Sequence, residues 1–182
     1  MRIAVLQATA FIMAATTVAA NAEMAVQAPG VGSDGSIQVP NVDYQKDWAF
    51  LGTYSVQGED GAGDLHTVYT QPETIAAYRE TGKFPDGTVL IKDLFKTKTD
   101  NLTTGRVSWA TERAGWFVMV KDSANSFPDN PLWGDGWGWA FFEPDAPKAT
   151  TTVDYKTECL GCHEPVRKTD LSYVQGYPAL QR

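Results

Sequence analysis

The chain has 182 residues, a formal net charge of −7 and only two cysteines. This length corresponds to one domain that can bury a hydrophobic core without disulfide support. The excess of acidic residues argues against nucleic acids and anionic membranes as partners, because both carry negative charge.

The first 22 residues are expected to form a cleaved export signal. Arg2 is followed by an apolar stretch over residues 3–20, and Ala20-Asn21-Ala22 has the small-x-small pattern that signal peptidase accepts. An uncleaved membrane anchor is the alternative, but the stretch is rich in Ala and Thr and only weakly apolar. We therefore expect a periplasmic protein without a membrane segment after cleavage.

Residues 23–46 are rich in Gly, Pro, Ser and Asp, which predicts a flexible arm or an irregular lead-in. The folded domain is expected to span residues 47–182. This part of the sequence contains no internal repeat.

Strands separated by turns follow the arm. The strands are predicted over residues 48–56, 65–69, 88–96, 106–112, 116–121 and 137–142. A helix is predicted after the capping-box pattern Thr70-Gln71-Pro72-Glu73, ending at Gly82. The turn Phe84-Pro85-Asp86-Gly87 follows it, and a hairpin is predicted at Arg113-Ala114-Gly115. This order of elements predicts an α+β domain with a predominantly antiparallel β-sheet and a few helices.

Bulky and small side chains alternate in the last predicted strand. The bulky residues are Trp137, Trp139 and Phe141, and the small ones are Gly136, Gly138 and Ala140. Ordinary sheet packing with a bulky and a small layer explains this pattern. The alternative is that the small face lets a flat group such as a porphyrin approach closely.

The segment Cys159-Leu160-Gly161-Cys162-His163 has the spacing of a c-type haem attachment site. Positions i, i+3 and i+4 of a helical turn share one face, so both thiols can reach the vinyl groups of a single porphyrin. His163 is then the axial ligand of the iron. A zinc site would need about four protein ligands, and a structural disulfide would leave His163 unexplained. We therefore predict one covalent haem c, held by a C-terminal attachment segment.

The second axial position of the iron separates electron carriers from ligand-binding proteins, because a carrier has a second strong ligand, Met or His. The candidates are Met24, His66 and Met119. Met24 falls in the arm, Met119 has the pattern of a core residue, and a lone histidine is more commonly a surface residue. The sequence therefore favours an open iron site that binds hydroxylamine, NO or CO. A simple electron carrier with His66 or Met119 as sixth ligand is the alternative.

Lys92 shares a face of the strand at residues 88–96 with Leu90 and Leu94. A lysine on an apolar face is costly unless it has a partner or a task. It is either an edge lysine whose amine reaches water or a desolvated amine near the haem, available as a nucleophile. Lys96 and Lys98 lie nearer the loop.

From about Trp48 to the C-terminus, the chain resembles the cytochrome P-460 family, which includes the beta-type cytochromes c-prime. The likeness is carried by residues 78–88, 115–122 and 130–139, and by the haem motif with the following Asp170 and Tyr177-Pro178. The resemblance implies a mainly antiparallel β fold, a homodimer and a five-coordinate haem c.

In the enzymes of this family a lysine is joined covalently to the porphyrin and hydroxylamine is oxidised. The resemblance makes Lys92 the candidate for the cross-link, and a soluble cytochrome is the expected electron acceptor. A distal carboxylate would accept protons; we select Glu112, with Asp93 and Asp122 as alternatives. In the beta-type cytochromes c-prime the cross-link is absent, the distal pocket is apolar and the protein binds NO or CO. A non-catalytic gas-binding cytochrome is therefore the alternative function.

Overall fold

The computed structural model describes residues 26–181, and its main feature is a six-stranded antiparallel sheet in the order β1-β2-β3-β4-β6-β5. The strands are β1 (Ala49–Gly58), β2 (Gly61–Thr70), β3 (Val89–Leu102), β4 (Gly105–Lys121), β5 (Trp133–Gly134) and β6 (Trp137–Phe142). The predicted α+β class with a predominantly antiparallel sheet is confirmed.

Short helices flank the sheet. They are α1 (Tyr44–Asp47), α2 (Thr74–Thr81), a π-helical turn (Lys156–Leu160), α3 (Gly161–His163), and 3-10 turns at Glu164–Thr169, Val174–Gly176 and Pro178–Leu180. Helix α2 ends at Gly82 as predicted, because this glycine adopts the left-handed conformation at φ +77°. The predicted capping box is not formed: the N-cap residue is Glu73, and its side chain makes no capping hydrogen bond. Among residues 26–181, no helix is long and apolar enough to span a membrane.

Strand β4 is continuous where two strands and a hairpin at Arg113-Ala114-Gly115 were predicted. The chain reverses earlier, at the end of β3, where Leu102 pairs with Gly105. Gly115 stays inside the strand with φ +149°, and a Cβ there would lie 2.7 Å from the carbonyl oxygen of Phe142. This glycine therefore allows the close approach of β6, which a local turn signal does not reveal.

The two faces of the sheet carry separate hydrophobic clusters. Leu90, Met119 and Trp139 lie on one face, with the C-terminal segment packed over them; we call this the site face. Ile91 and Ala140 belong to the cluster on the opposite face. The alternation of neighbouring strand residues between the two clusters follows from the two-residue period of a strand.

The described part of the N-terminal arm packs on the opposite face. The segment is mostly irregular, with one isolated bridge between Val31 and Ile37. It is nevertheless anchored, because Ile37 is only 3% exposed and the N–H of Val26 donates to Ser126 Oγ at 3.1 Å. Residues 26–46 are thus part of the folded domain. The export signal and Met24 lie outside the described residues.

Candidate functional site

A pocket of about 430 Å³ on the site face brings the three residues of the haem motif together. Cys159 lies buried in the π-helical turn, and Cys162 is exposed at α3. Neither cysteine is in a disulfide. Burial raises the pKa of Cys159 to about 11, so its sulfur stays protonated at neutral pH. Both cysteines therefore lie unpaired beside the same pocket.

The side chain of His163 is held in an orientation suited to an axial ligand. Its Nδ1 atom lies 2.7 Å from the carbonyl oxygen of Leu171. A carbonyl can only accept, so Nδ1 carries the proton and Nε2 retains a free lone pair. Burial lowers the pKa of His163, which favours the neutral ring that a metal requires.

Two aromatic rings fix the imidazole further. The ring of Trp139 lies 4.9 Å from that of His163, and the ring of Tyr173 lies 5.8 Å away, both nearly edge-on. The hydroxyl of Tyr173 also donates a hydrogen bond to the carbonyl oxygen of Cys162. The imidazole ring of His163 is thus contacted both by the sheet, through Trp139, and by the C-terminal segment, through Tyr173.

The Trp-rich strand β6 contributes its bulky face to this site. Trp139 lines the pocket, whereas a Cβ at Gly138 would lie 2.8 Å from the ring of Trp133. The small layer around Gly138 therefore packs against an indole, as ordinary sheet packing predicts. The sequence interpretation considered only the small face of this strand as a porphyrin contact. In the structure, the aromatic face is the one that lies against the haem motif.

Lys92 and His66 both line the pocket. The Nζ atom of Lys92 lies 4.4 Å from the ring centroid of Phe117. Among residues 26–181, no carboxylate lies within ion-pair distance of this amine. Burial lowers the pKa of both Lys92 and His66. The pocket therefore holds a weakly hydrated amine and an imidazole that favours its neutral form.

The other predicted lysines lie elsewhere. Lys96 forms an exposed ion pair with Glu112, with Nζ and Oε2 3.0 Å apart. The Nζ atom of Lys98 lies 5.6 Å from the ring of Trp109. Neither lysine lines the pocket.

The selection of Glu112 as proton acceptor is not supported by its position. The hairpin of β3 and β4 extends beyond the pocket and carries Glu112 into solvent. Asp93 is buried on the opposite face, where it accepts a hydrogen bond from Tyr44 at 2.7 Å. Asp122 accepts hydrogen bonds from Ser126 instead of facing the pocket.

Among the described residues, the carboxylate that lines the pocket is Glu158, which the sequence interpretation missed. Its Oε2 atom accepts the N–H groups of Val153 at 2.7 Å and Asp154 at 3.2 Å. The sequence signal was its position directly before Cys159. Met119, a predicted alternative sixth ligand, also lines the pocket.

A comparison with protein families gives a match that covers most of the chain. The family model described as cytochrome P460 matches residues 42–174, which include all the strands and the haem motif. No curated protein matches the chain. The family match confirms the resemblance drawn from the sequence. The chain therefore belongs to the cytochrome P460 family, and its membership implies a haem cofactor.

Proposed function

We propose that the protein is a periplasmic cytochrome with one haem c, attached through Cys159 and Cys162 and ligated by His163, and that it oxidises hydroxylamine. The observation that carries the proposal is the convergence of both thiols, the imidazole and Lys92 on one mostly apolar pocket. When bound, the haem would supply an iron that accepts electrons from the substrate.

The donor set fits a covalent haem. Addition of each thiol across a vinyl group forms a carbon–sulfur bond and moves the thiol hydrogen to carbon, so the attachment needs no oxidant. The free lone pair of His163 Nε2 is available to the iron, and the Leu171 carbonyl fixes the ring that presents it. Cys162 is exposed, which supports access of an attachment machinery to this thiol.

Lys92 is the proposed cross-linking residue. Its lowered pKa enlarges the fraction of neutral amine, which is the nucleophilic form. A bond between Nζ and a porphyrin carbon replaces one N–H and one C–H bond. The reaction therefore releases two protons and two electrons, and we assign the electrons to an external oxidant of the peroxide class.

Hydroxylamine oxidation also releases protons. His66 and Glu158 are the pocket residues suited to accept them. The lowered pKa of His66 keeps its ring neutral near pH 7 and able to take up a proton. Glu112 has no part in this proposal.

Two alternatives have specific support. The apolar lining formed by Val68, Leu90 and Phe117 favours a non-catalytic cytochrome that binds NO or CO. The presence of His66 and Met119 in the same lining favours a simple electron carrier with one of them as sixth ligand.

Intact mass and visible spectrum of the purified protein, combined with hydroxylamine-dependent reduction of an acceptor dye, test these functions. We expect the wild-type mass to equal chain plus one haem, less the hydrogens that the cross-link removes. Lys92→Arg should regain those hydrogens, show an ordinary haem c spectrum and lose turnover. Lys96→Arg, outside the pocket, should behave as wild type.

The remaining outcomes select the alternatives. An ordinary haem c spectrum in the wild type, with NO or CO binding and no turnover, establishes the gas-binding cytochrome. A low-spin spectrum that becomes high-spin in His66→Ala or Met119→Ala establishes the electron carrier.

Export, the homodimer and a soluble partner cytochrome are part of the proposal. N-terminal sequencing of the secreted protein is expected to begin at Glu23. Light scattering of the holoprotein should give the mass of two chains.

A further inference from the structure

The buried ion pair between Lys121 and Asp170 takes no part in the proposed chemistry. Lys121 Nζ lies 2.8 Å from Asp170 Oδ1, and the two side chains are only 7% and 8% exposed. Lys121 is the last residue of β4, whereas Asp170 follows the 3-10 turn Glu164–Thr169 that continues the haem motif. The pair therefore ties the sheet to the segment behind the axial histidine.

Further contacts hold both charges in place. The second carboxylate oxygen of Asp170 accepts the N–H of Phe84 at 2.9 Å. The Nζ atom of Lys121 lies 4.9 Å from the ring centroid of Trp137, and the rings of Phe84 and Trp137 pack edge-on at 5.6 Å. Buried charges require such partners, and these partners restrict the carboxylate to one position.

The backbone at Asp170 adopts an unfavourable conformation. Asp170 and Leu171 have φ angles of +59° and +58°, in the left-handed region that residues with a Cβ seldom occupy. Such a conformation persists only where surrounding contacts impose it. The N–H of Leu171 bonds to the carbonyl of Val166 at 3.1 Å, and the Leu171 carbonyl lies 2.7 Å from His163 Nδ1.

We infer that Lys121 and Asp170 are positioning residues for the axial ligand. Their ion pair holds the left-handed turn at Asp170 and Leu171, and this turn aims the Leu171 carbonyl at His163. An acceptor at Nδ1 makes the imidazole a stronger donor through Nε2. The pair thereby sets the strength of the bond between His163 and iron, and with it the reduction potential. The inference rests on the proposed ligation by His163.

A purely structural role is the competing explanation, and the fold supplies a matched control. Asp93 and Arg113 form a second ion pair, with 3.4 Å between Oδ1 and Nε, and the Asp93 side chain has no exposed surface. This pair lies on the face opposite the pocket, as part of the same sheet. Loss of this second ion pair should destabilise the fold without changing the contacts of His163.

Resonance Raman spectra of the ferrous holoprotein and its midpoint potential provide the test. Four variants are compared with wild type: Asp170→Asn, Lys121→Gln, Lys121→Arg and Asp93→Asn.

Loss of the charge pair should lower the iron–histidine stretching frequency in Asp170→Asn and Lys121→Gln. It should also shift the ferric–ferrous equilibrium toward ferrous haem, and we take about tenfold as the size of this shift, the lower end of the changes in metal affinity that follow loss of a contact behind a metal ligand. For a one-electron couple this equals about 59 mV. Lys121→Arg keeps the charge and should stay near wild type, and Asp93→Asn should lose stability only.

The outcomes are distinguishable. An iron–histidine band and a potential unchanged from wild type in a folded Asp170→Asn or Lys121→Gln variant overturn the positioning role and leave ligation by His163 intact. An equal shift in Asp93→Asn also overturns it, since the effect would then be general destabilisation. A wild-type protein that carries no haem at His163 overturns both the ligation and the inference.

Discussion

The indole ring of Trp139 packs against the imidazole ring of His163, with the ring planes at 73° and the centroids 4.9 Å apart. The indole N–H of Trp139 donates to the carbonyl oxygen of Gly134 at 3.2 Å, and this hydrogen bond restricts the orientation of the indole ring. An edge-on aromatic pair of this kind adds about 0.5–1.5 kcal/mol beyond the burial of area. Strand β6 therefore supports the side chain of His163 directly.

Replacement of Trp139 by Leu should lower the free energy of unfolding by about 3 kcal/mol, because a large buried ring is lost and a cavity remains beside His163. Urea unfolding followed by circular dichroism measures this change. Trp109 is 37% exposed on the β3–β4 hairpin, and Trp109→Leu should change stability by less than about 0.5 kcal/mol. Equal losses in the two variants would contradict a special role for Trp139.

Gly115 is expected to tolerate alanine less well than Gly105, although both have positive φ angles. At Gly105 nothing lies within 4 Å of an added Cβ, so alanine adds backbone strain alone, about 1–3 kcal/mol. At Gly115 the Cβ would also meet the Phe142 carbonyl at 2.7 Å, which adds about 1–3 kcal/mol of overpacking. Thermal unfolding of the two alanine variants should show the larger loss for Gly115→Ala, and the reverse order would disprove the close contact.

Local signals predicted the parts of the fold that depend on neighbouring residues. The left-handed conformation that ends α2 at Gly82 and the spacing of Cys159, Cys162 and His163 are properties of single turns, and both were readable in the sequence. The continuity of β4 through Gly115 was not, because it depends on contact with β6, which is distant in sequence.

The missed pocket carboxylate has a similar cause. Glu112 and Glu158 are both ordinary acidic residues in the sequence. Only the path of the chain in the fold determines which of them lies at the pocket. The β3–β4 hairpin extends into solvent and takes Glu112 with it, whereas the C-terminal segment folds back and leaves Glu158 at the pocket. Lys92 could be assigned to the apolar face because strand alternation is itself a local property.

Ile37 should contribute strongly to stability although it lies in a segment with little regular structure. Ile37→Ala is expected to cost about 2–5 kcal/mol, the usual range for truncation of a buried aliphatic side chain. Val42 in the same segment is 44% exposed, so Val42→Ala should cost less than about 0.5 kcal/mol. Urea unfolding of both variants tests whether the segment is packed. Near-zero effects in both would mean that it is detached in solution.

Asp93→Ala should be among the most destabilising substitutions on the face opposite the pocket. It removes the partner of Arg113 and the acceptor of the Tyr44 hydroxyl, which lies 2.7 Å from Asp93. Loss of one partner of a buried ion pair costs about 3–5 kcal/mol.

Tyr44→Phe provides the graded comparison for this site. It removes the hydroxyl that accepts the indole N–H of Trp116 at 2.8 Å, and an unpaired buried donor costs about 1–3 kcal/mol. Urea unfolding should therefore rank Asp93→Ala below Tyr44→Phe in stability. The opposite ranking would show that the charge of Asp93 contributes little.

The stability of the protein should fall as the pH decreases below about 6.5, in part because of His66. Burial lowers the pKa of His66 from its ordinary value of 6.5. The unfolded chain therefore takes up a proton on this ring at a higher pH than the folded protein does. Wherever the unfolded state binds more protons, stability rises with pH, so the contribution of His66 is complete above 6.5 and is lost as the pH falls toward its folded pKa.

His66→Gln removes this titrating group and leaves the carboxylates unchanged. Urea midpoints of the wild type and the variant at pH 7.5 and pH 5.5 isolate the effect. The wild type should lose more stability between the two pH values than His66→Gln does. Identical losses would mean that His66 is as well hydrated in the folded protein as in the unfolded chain. Such a histidine would keep an ordinary pKa, and the pocket would then not favour the neutral form of its imidazole.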